Sequence, residues 1–192
     1  MKRVGILALQ GDFERHQKAV ESAGGVVFLV RRAEELNGLD GLILPGGEST
    51  TMLKLLQDEK LFEPVREFCR QRPAFGTCAG AILLAKEVSN PPQASLGLMD
   101  LAIERNAYGR QIDSHILAVH PEPEFTQRTG EGDLECVFIR APIIRRVGAD
   151  VRVLATADGA PVLVEQGPHL AATFHPELTR DLRVHQLFLK KL

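Results

Sequence analysis

The sequence predicts an α/β protein built on a mixed, mostly parallel open sheet with helices on its faces. Two observations carry this. Short β-branched runs alternate with amphipathic helical patterns through the first half of the 192 residues. The second half is a closer succession of short runs that reads as more antiparallel.

Taken in order, Val4–Leu9 reads as a buried strand, and Phe13–Ala23 as a helix with Asp12 as its N-cap and Phe13, Val20 and Ala23 on the apolar side. Val26–Val30 and Leu42–Leu44 are the next strands. After the break at Gly46-Gly47, Ser49 or Thr50 is expected to cap a helix running to about Asp58. Leu61, Phe62, Val65, Phe68 and Cys69 mark one face of another helix, which Pro73 ends. Ala74–Gly76 is a short strand, followed by a helical stretch Ala81–Lys86. Further strands are expected at Met99–Ile103, Ile116–Val119, Glu135–Ile139, Val151–Thr156, Val162–Glu165 and Leu170–Phe174, then a last helix from about Arg180 to Leu192. Ser89–Gly97 and Pro121–Asp133 read as surface loops. No repeat or Pro/Gly linker divides the chain, so residues 1–192 are expected to form one domain.

Composition narrows the function classes. Hydrophobic residues make up 44% and charged residues 25%, as in ordinary soluble proteins. A net charge of −2 lacks the basic excess of a nucleic-acid or anionic-membrane binder. The opening apolar run is too short for a signal peptide or a membrane helix. Three cysteines, Cys69, Cys78 and Cys136, without metal-type spacing argue against a disulfide framework, and a cytoplasmic setting is expected.

The strongest chemical signal is Gly76-Thr77-Cys78-Ala79-Gly80 between a strand and a helix. This Gly-x-nucleophile-x-Gly pattern is that of a nucleophile elbow, whose turn is so tight that side chains two residues either side would collide. It sets the sulfur at a helix start, where the thiolate is favoured. Cys69 and Cys136 fall on apolar faces and read as core. A thiol nucleophile needs a base, and two segments offer the same local chemistry: His175-Pro176-Glu177 and His120-Pro121-Glu122. In extended chain, residues two apart share a side, so either glutamate can orient its histidine. The apolar run before His175 favours it, as a central strand would read that way, but spacing alone does not choose. The remaining histidines, His16, His115, His169 and His185, read as satisfied or exposed. Leu44-Pro45-Gly46-Gly47-Glu48-Ser49-Thr50-Thr51 is a second strand-to-helix turn. Its backbone N–H groups, with that of Ala79, can hold the oxyanion of a tetrahedral intermediate. The turn matches no phosphate-loop pattern, and Glu48 would repel a phosphate.

Together these segments resemble the class I, triad-type glutamine amidotransferase family, and within it the glutaminase subunits of pyridoxal 5′-phosphate synthases. The resemblance rests on Leu9-Gln10-Gly11, the Leu44–Thr50 and Phe75–Gly80 segments, Arg105-Asn106, Gly109-Arg110-Gln111, Phe138-Ile139-Arg140-Ala141-Pro142 and Phe174-His175-Pro176-Glu177-Leu178, in family order along most of the chain. Arg15, where the family pattern has glutamate, is a small departure. The resemblance implies a three-layer, flavodoxin-like fold and a triad of Cys78, His175 and Glu177. It also implies a glutamine pocket of Gly47, Glu48, Ser49, Arg105, Ile139 and Arg140, and an oxyanion hole from Gly47 and Ala79. The implied reaction is hydrolysis of L-glutamine to glutamate and ammonia without metal or organic cofactor. The implied partner is a barrel-type pyridoxal 5′-phosphate synthase subunit in a large hetero-oligomer. Zwitterionic glutamine wants both charges in its pocket, which Arg105 or Arg140 and Glu48 are expected to supply.

Overall fold

The structure, a computed structural model, describes residues 1–106 and 114–192. The motif Gly109-Arg110-Gln111 lies outside the described residues. The chain runs β1 (Arg3–Leu7), α1 (Phe13–Ser22), β2 (Val26–Val30), β3 (Gly41–Leu44), α2 (Ser49–Asp58), α3 (Phe62–Gln71), β4 (Ala74–Thr77) and α4 (Ala79–Leu84). It continues with β5 (Ala85–Ser89), β6 (Met99–Glu104), β7 (Ser114–Val119), α5 (Pro123–Thr129), β8 (Leu134–Ile139) and β9 (Ile143–Val147). Last come β10 (Arg152–Ala157), β11 (Ala160–Gln166), β12 (His169–Ala172) and α6 (Arg183–Leu189), with short 3-10 turns at Ala33–Leu36 and Pro176–Leu178.

Seven strands form the central sheet in the order β10-β11-β12-β4-β3-β1-β2. The pairs from β12 to β2 are parallel, and β10 and β11 join antiparallel. The alternation of side chains across each strand divides the core in two. In β3, Leu42 and Leu44 face a cluster with Met52 and Leu56 of α2, Val65 and Cys69 of α3 and the buried α4. Ile43 faces the other side with Val20 of α1, Phe125 of α5 and Leu187 and Phe188 of α6. Helices therefore cover both faces of a mostly parallel sheet, the expected three layers. Two smaller sheets, β5-β6-β9 and β7-β8, lie outside it.

Several expectations are corrected. The Ala81–Lys86 helix begins earlier and stops at Leu84, because Leu96 and Leu98 N–H groups donate to the carbonyls of Leu83 and Leu84 and release the chain into β5. Part of the expected loop at Ser89–Gly97 thus follows a strand that pairs in parallel with β6. The Pro121–Asp133 loop contains α5: Pro123 occupies the first helical turn, where its missing N–H is harmless, and Phe125 is fully buried beneath it. β9 is an unforeseen strand paired antiparallel with β6. Glu48, rather than Ser49 or Thr50, caps α2; its carboxylate accepts from the Thr50 and Thr51 N–H groups at 3.0 and 2.7 Å. A charged acceptor at a helix start outcompetes a hydroxyl there. The last helix is shorter than Arg180–Leu192, since Asp181 takes the Arg183 N–H and guanidinium just before it.

The strand order reverses beside β1, whose two neighbours are β2 and β3. Open α/β sheets place their sites outside the carboxyl ends of strands near such a reversal. The residues following β1, β3, β4 and β12 meet there.

Candidate active site

The elbow is strained in the manner its glycines require. Cys78 has φ +48° and ψ −104°, a conformation that non-glycine residues rarely adopt. A Cβ on Gly76 would stand 2.5 Å from the Gly80 carbonyl carbon, and one on Gly80 would stand 1.9 Å from the Leu44 oxygen. The Cys78 N–H donates to the Ala172 carbonyl at 2.8 Å, which ties the turn to β12. Cys78 is 6% exposed and lies at the N-cap of α4.

His175 leaves the end of β12 with its N–H on the Val137 carbonyl at 2.8 Å. Its Nδ1 lies 2.7 Å from Glu177 Oε1, with both side chains buried. The pair closes through the 3-10 turn Pro176–Leu178, not through the extended chain expected from its spacing. The ring packs on Gly46, where a Cβ would come within 2.5 Å of His175 Cε1. With Nδ1 on the carboxylate, Nε2 is the ring nitrogen left free to serve Cys78. Burial disfavours the imidazolium, but the hydrogen bonds to Cys78 and Glu177 and the negative charge on both outweigh it and push the imidazole up to about 10. Glu177 is held below its usual range: burial favours the acid, yet His16 and His175 beside it favour the carboxylate.

A pocket of ≈ 220 Å³ opens over this pair. It brings together Cys78 and His175 with Gly47, Glu48, Ser49, Arg105, Ile139 and Arg140, all the predicted residues save Glu177, which lies behind His175, and Ala79, which is buried at the start of α4. Two of the charged residues lie against each other. Arg105 donates to Thr50 Oγ1 at 2.6 Å and lies 3.4 Å from Glu48, whose carboxylate also caps α2. Glu48 and Arg105 thus engage each other, and among the described residues lining the pocket Arg140, at φ +45°, is the cation outside this pairing. The rival motif lies elsewhere: His120 is exposed beyond β7, 3.0 Å from Asp133, and does not line the pocket.

Three participants were not singled out by role. Gln10, after β1, accepts the Glu48 N–H on Oε1 at 3.2 Å and packs so closely on Gly47 (φ +140°) that a Cβ there would fall 1.8 Å from its amide nitrogen. Asp12 takes the N-cap place of α1 without bonding through its side chain, and lines the pocket instead. His16 is fully buried behind Glu177. Its place three residues after Phe13 and four before Val20 marked it for the inner face of α1. Among the described residues, Asp12, His175 and Glu177 form one group whose ligand-type atoms lie within 4.8 Å of one another. The His175 and Glu177 atoms are already engaged with each other.

Burial pushes the Cys69 thiol up to about 12, and burial together with Asp181 pushes Cys136 to about 12. The thiolate is the alkylated species, so native protein at pH 8 is expected to take up one iodoacetamide group, at Cys78. Peptide mass mapping checks this, and modification of Cys69 or Cys136 before denaturation would contradict it.

The chain is similar to several known proteins. A pyridoxal 5′-phosphate synthase subunit PdxT of Solibacter usitatus is 64% identical over 192 residues, covering all of both chains. A PdxT of Bacillus cytotoxicus is 48% identical over 99% of this chain and 94% of its own. A solved structure described as a glutamine amidotransferase superposes with TM-score 0.88 at 47% identity, covering 98% of this chain and 97% of that one. PurLQS of Thermotoga maritima, at 19% identity and TM-score 0.71, shares the fold alone. The model of the SNO glutamine amidotransferase family matches residues 6–192. The chain belongs to the SNO glutamine amidotransferase family.

Proposed function

We propose that this chain is the glutaminase subunit of a pyridoxal 5′-phosphate synthase: it hydrolyses L-glutamine to L-glutamate and ammonia through a thioester on Cys78. The observation that carries the reading is Cys78 and His175 together on the pocket wall, with the buried Glu177 2.7 Å behind the imidazole. His175, its basicity raised, takes the Cys78 thiol proton. Cys78 Sγ adds to the carboxamide carbon of glutamine, and the C=O pair moves onto oxygen. Backbone N–H groups at Gly47 and Ala79 receive that charge, each such donor being worth about 3–4 kcal/mol. Collapse breaks the C–N bond while His175 gives its proton to the departing nitrogen, so ammonia leaves. Water then loses a proton to His175 and attacks the thioester; the S–C bond breaks and glutamate departs. Glu177 holds the ring in one orientation throughout. Arg140 is assigned to the substrate carboxylate, since Glu48 occupies Arg105.

Ammonia released into water is largely protonated and then no nucleophile. The product is therefore passed to a synthase partner, which we take to be a barrel-type subunit in a large assembly, docked over the pocket mouth. All three cysteines are free thiols, which suits a reducing, cytoplasmic setting. No helix among the described residues is long and apolar enough to cross a membrane.

The test is acid quenching during turnover of glutamine, with the synthase partner present. Peptides containing Cys78 are expected to carry the mass of one glutamyl group, with glutamate and ammonia formed in equal amounts. Turnover with no adduct on Cys78 at any quench time, together with full activity after its alkylation, would overturn the mechanism.

A further inference from the structure

Behind the proposed triad lies a second, fully buried chain of polar groups that the mechanism does not use. His16 of α1 places Nε2 3.0 Å from Thr77 Oγ1 in the elbow and 3.4 Å from Glu177 Oε2. Its Nδ1 lies 3.0 Å from His185 Nε2 of α6. Two atoms at the edges of this chain are buried without a hydrogen bond: Glu177 Oε2, the oxygen that His175 does not use, and His185 Nδ1.

These contacts choose the proton positions. With His16 protonated on Nε2, that N–H faces Thr77 Oγ1 and Glu177 Oε2, Nδ1 accepts from His185 Nε2–H, and the group left over is a lone pair on His185 Nδ1. The opposite tautomers would bury an unpaired His185 N–H and turn the His16 lone pair toward a carboxylate. A buried, unpaired donor beside a lone-pair–carboxylate clash is the worse arrangement. Burial, only partly opposed by Glu177, keeps His16 from charging, and burial holds His185 at about 3. The pair therefore contributes dipoles rather than charges.

We propose that His16 is a positioning residue for the thiol hydrolysis: its Nε2–H is bonded to Thr77, the neighbour of Cys78, and aims its dipole at the second oxygen of Glu177 3.4 Å away, so that carboxylate, imidazole and sulfur are kept in register. The proposal rests on the triad reading above. A neutral donor suits this place because a cation there would compete with the His175 imidazolium for the same carboxylate. It also couples α1 to the elbow and the triad through one side chain, so a shift of that helix is felt at Glu177.

The experiment compares His16→Leu, His16→Gln and His16→Asn with wild type, each assayed with the synthase partner for kcat and KM and each tested for the iodoacetamide inactivation rate of Cys78. The Gln amide nitrogen can occupy the Nε2 place, whereas that of Asn falls short of Glu177. His16→Leu is expected to lower kcat by about 10- to 100-fold, the range for leaving a buried polar group unpaired, with KM within about twofold and alkylation slowed in parallel. His16→Gln should recover most of both. If His16→Leu does not fold, Asn against Gln decides: Gln must exceed Asn by about tenfold in kcat. Wild-type kcat in His16→Leu, equal losses in Gln and Asn, or a loss confined to KM would overturn the proposal. Wild-type glutamate release in the same assay reports on the triad reading separately.

Discussion

Replacing Cys78 by alanine, or His175 by asparagine, is expected to reduce glutamate release by at least about 10³-fold, because nucleophile and base in a thiol or serine hydrolase act as one unit and losing either removes most of the catalysis. Asparagine keeps a polar group of similar bulk near Nδ1, so the Glu177 contact survives while the proton carrier at Nε2 is gone. The same change at His120 is expected to leave kcat and KM within about twofold, since His120 is exposed and bonded only to Asp133 among the described residues. The two histidines share the motif His-Pro-Glu, so each serves as a control for the other. The loss must appear in kcat and persist with the synthase partner present. If His120→Asn inactivated the protein and His175→Asn did not, the site would have to be moved to the β7–β8 ribbon.

That contrast shows what could be read from the residues and what could not. The elbow was legible because its glycines have no other use: both lie where a Cβ would strike backbone. The choice between the two His-Pro-Glu segments was not, since it depends on strand order. β12 lies inside the sheet between β11 and β4, beside the strand that leads into Cys78, while among the described residues β7 pairs only with β8. Arg105 looks in isolation like a solvated cation, and its place beside Thr50 and Glu48 follows from β6 ending near α2 in space. β9 reads Ile-Ile-Arg-Arg-Val, too polar in its second half to announce a strand, and pairs because β6 offers an open edge. His16 reads in the sequence as a satisfied or exposed histidine, and nothing local reveals that its partners come from the elbow, from the turn after β12 and from α6. The elements that local pattern predicts are those whose periodicity is set by burial on one side. Contacts between chain ends more than 150 residues apart are set by topology.

The glycines that frame the site separate catalysis from folding. A Cβ at Gly46 would stand 2.5 Å from His175 Cε1 and 3.0 Å from Nδ1, and 3.5 Å from the Cys78 Cβ. The imidazole must retreat from such a group, stretching its 2.7 Å bond to Glu177 and moving Nε2 off the sulfur. A displacement of about 1 Å at reacting groups lowers rates by about 10²-fold, so Gly46→Ala is expected to lose that much kcat while keeping most of its stability. At Gly80 the obstacle is the Leu44 carbonyl at 1.9 Å, backbone that belongs to the central strand β3. Neither side can yield without opening the elbow, and Gly80→Ala is expected to destabilise the fold by about 3 kcal/mol, the upper range for overpacking, as well as to inactivate it. Thermal unfolding and kcat measured on both variants distinguish the two cases. A Gly46→Ala protein with wild-type kcat would mean that His175 does not work from the position it occupies against that glycine. A Gly80→Ala protein of wild-type stability would mean that the close approach of elbow and β3 is not a condition of the fold.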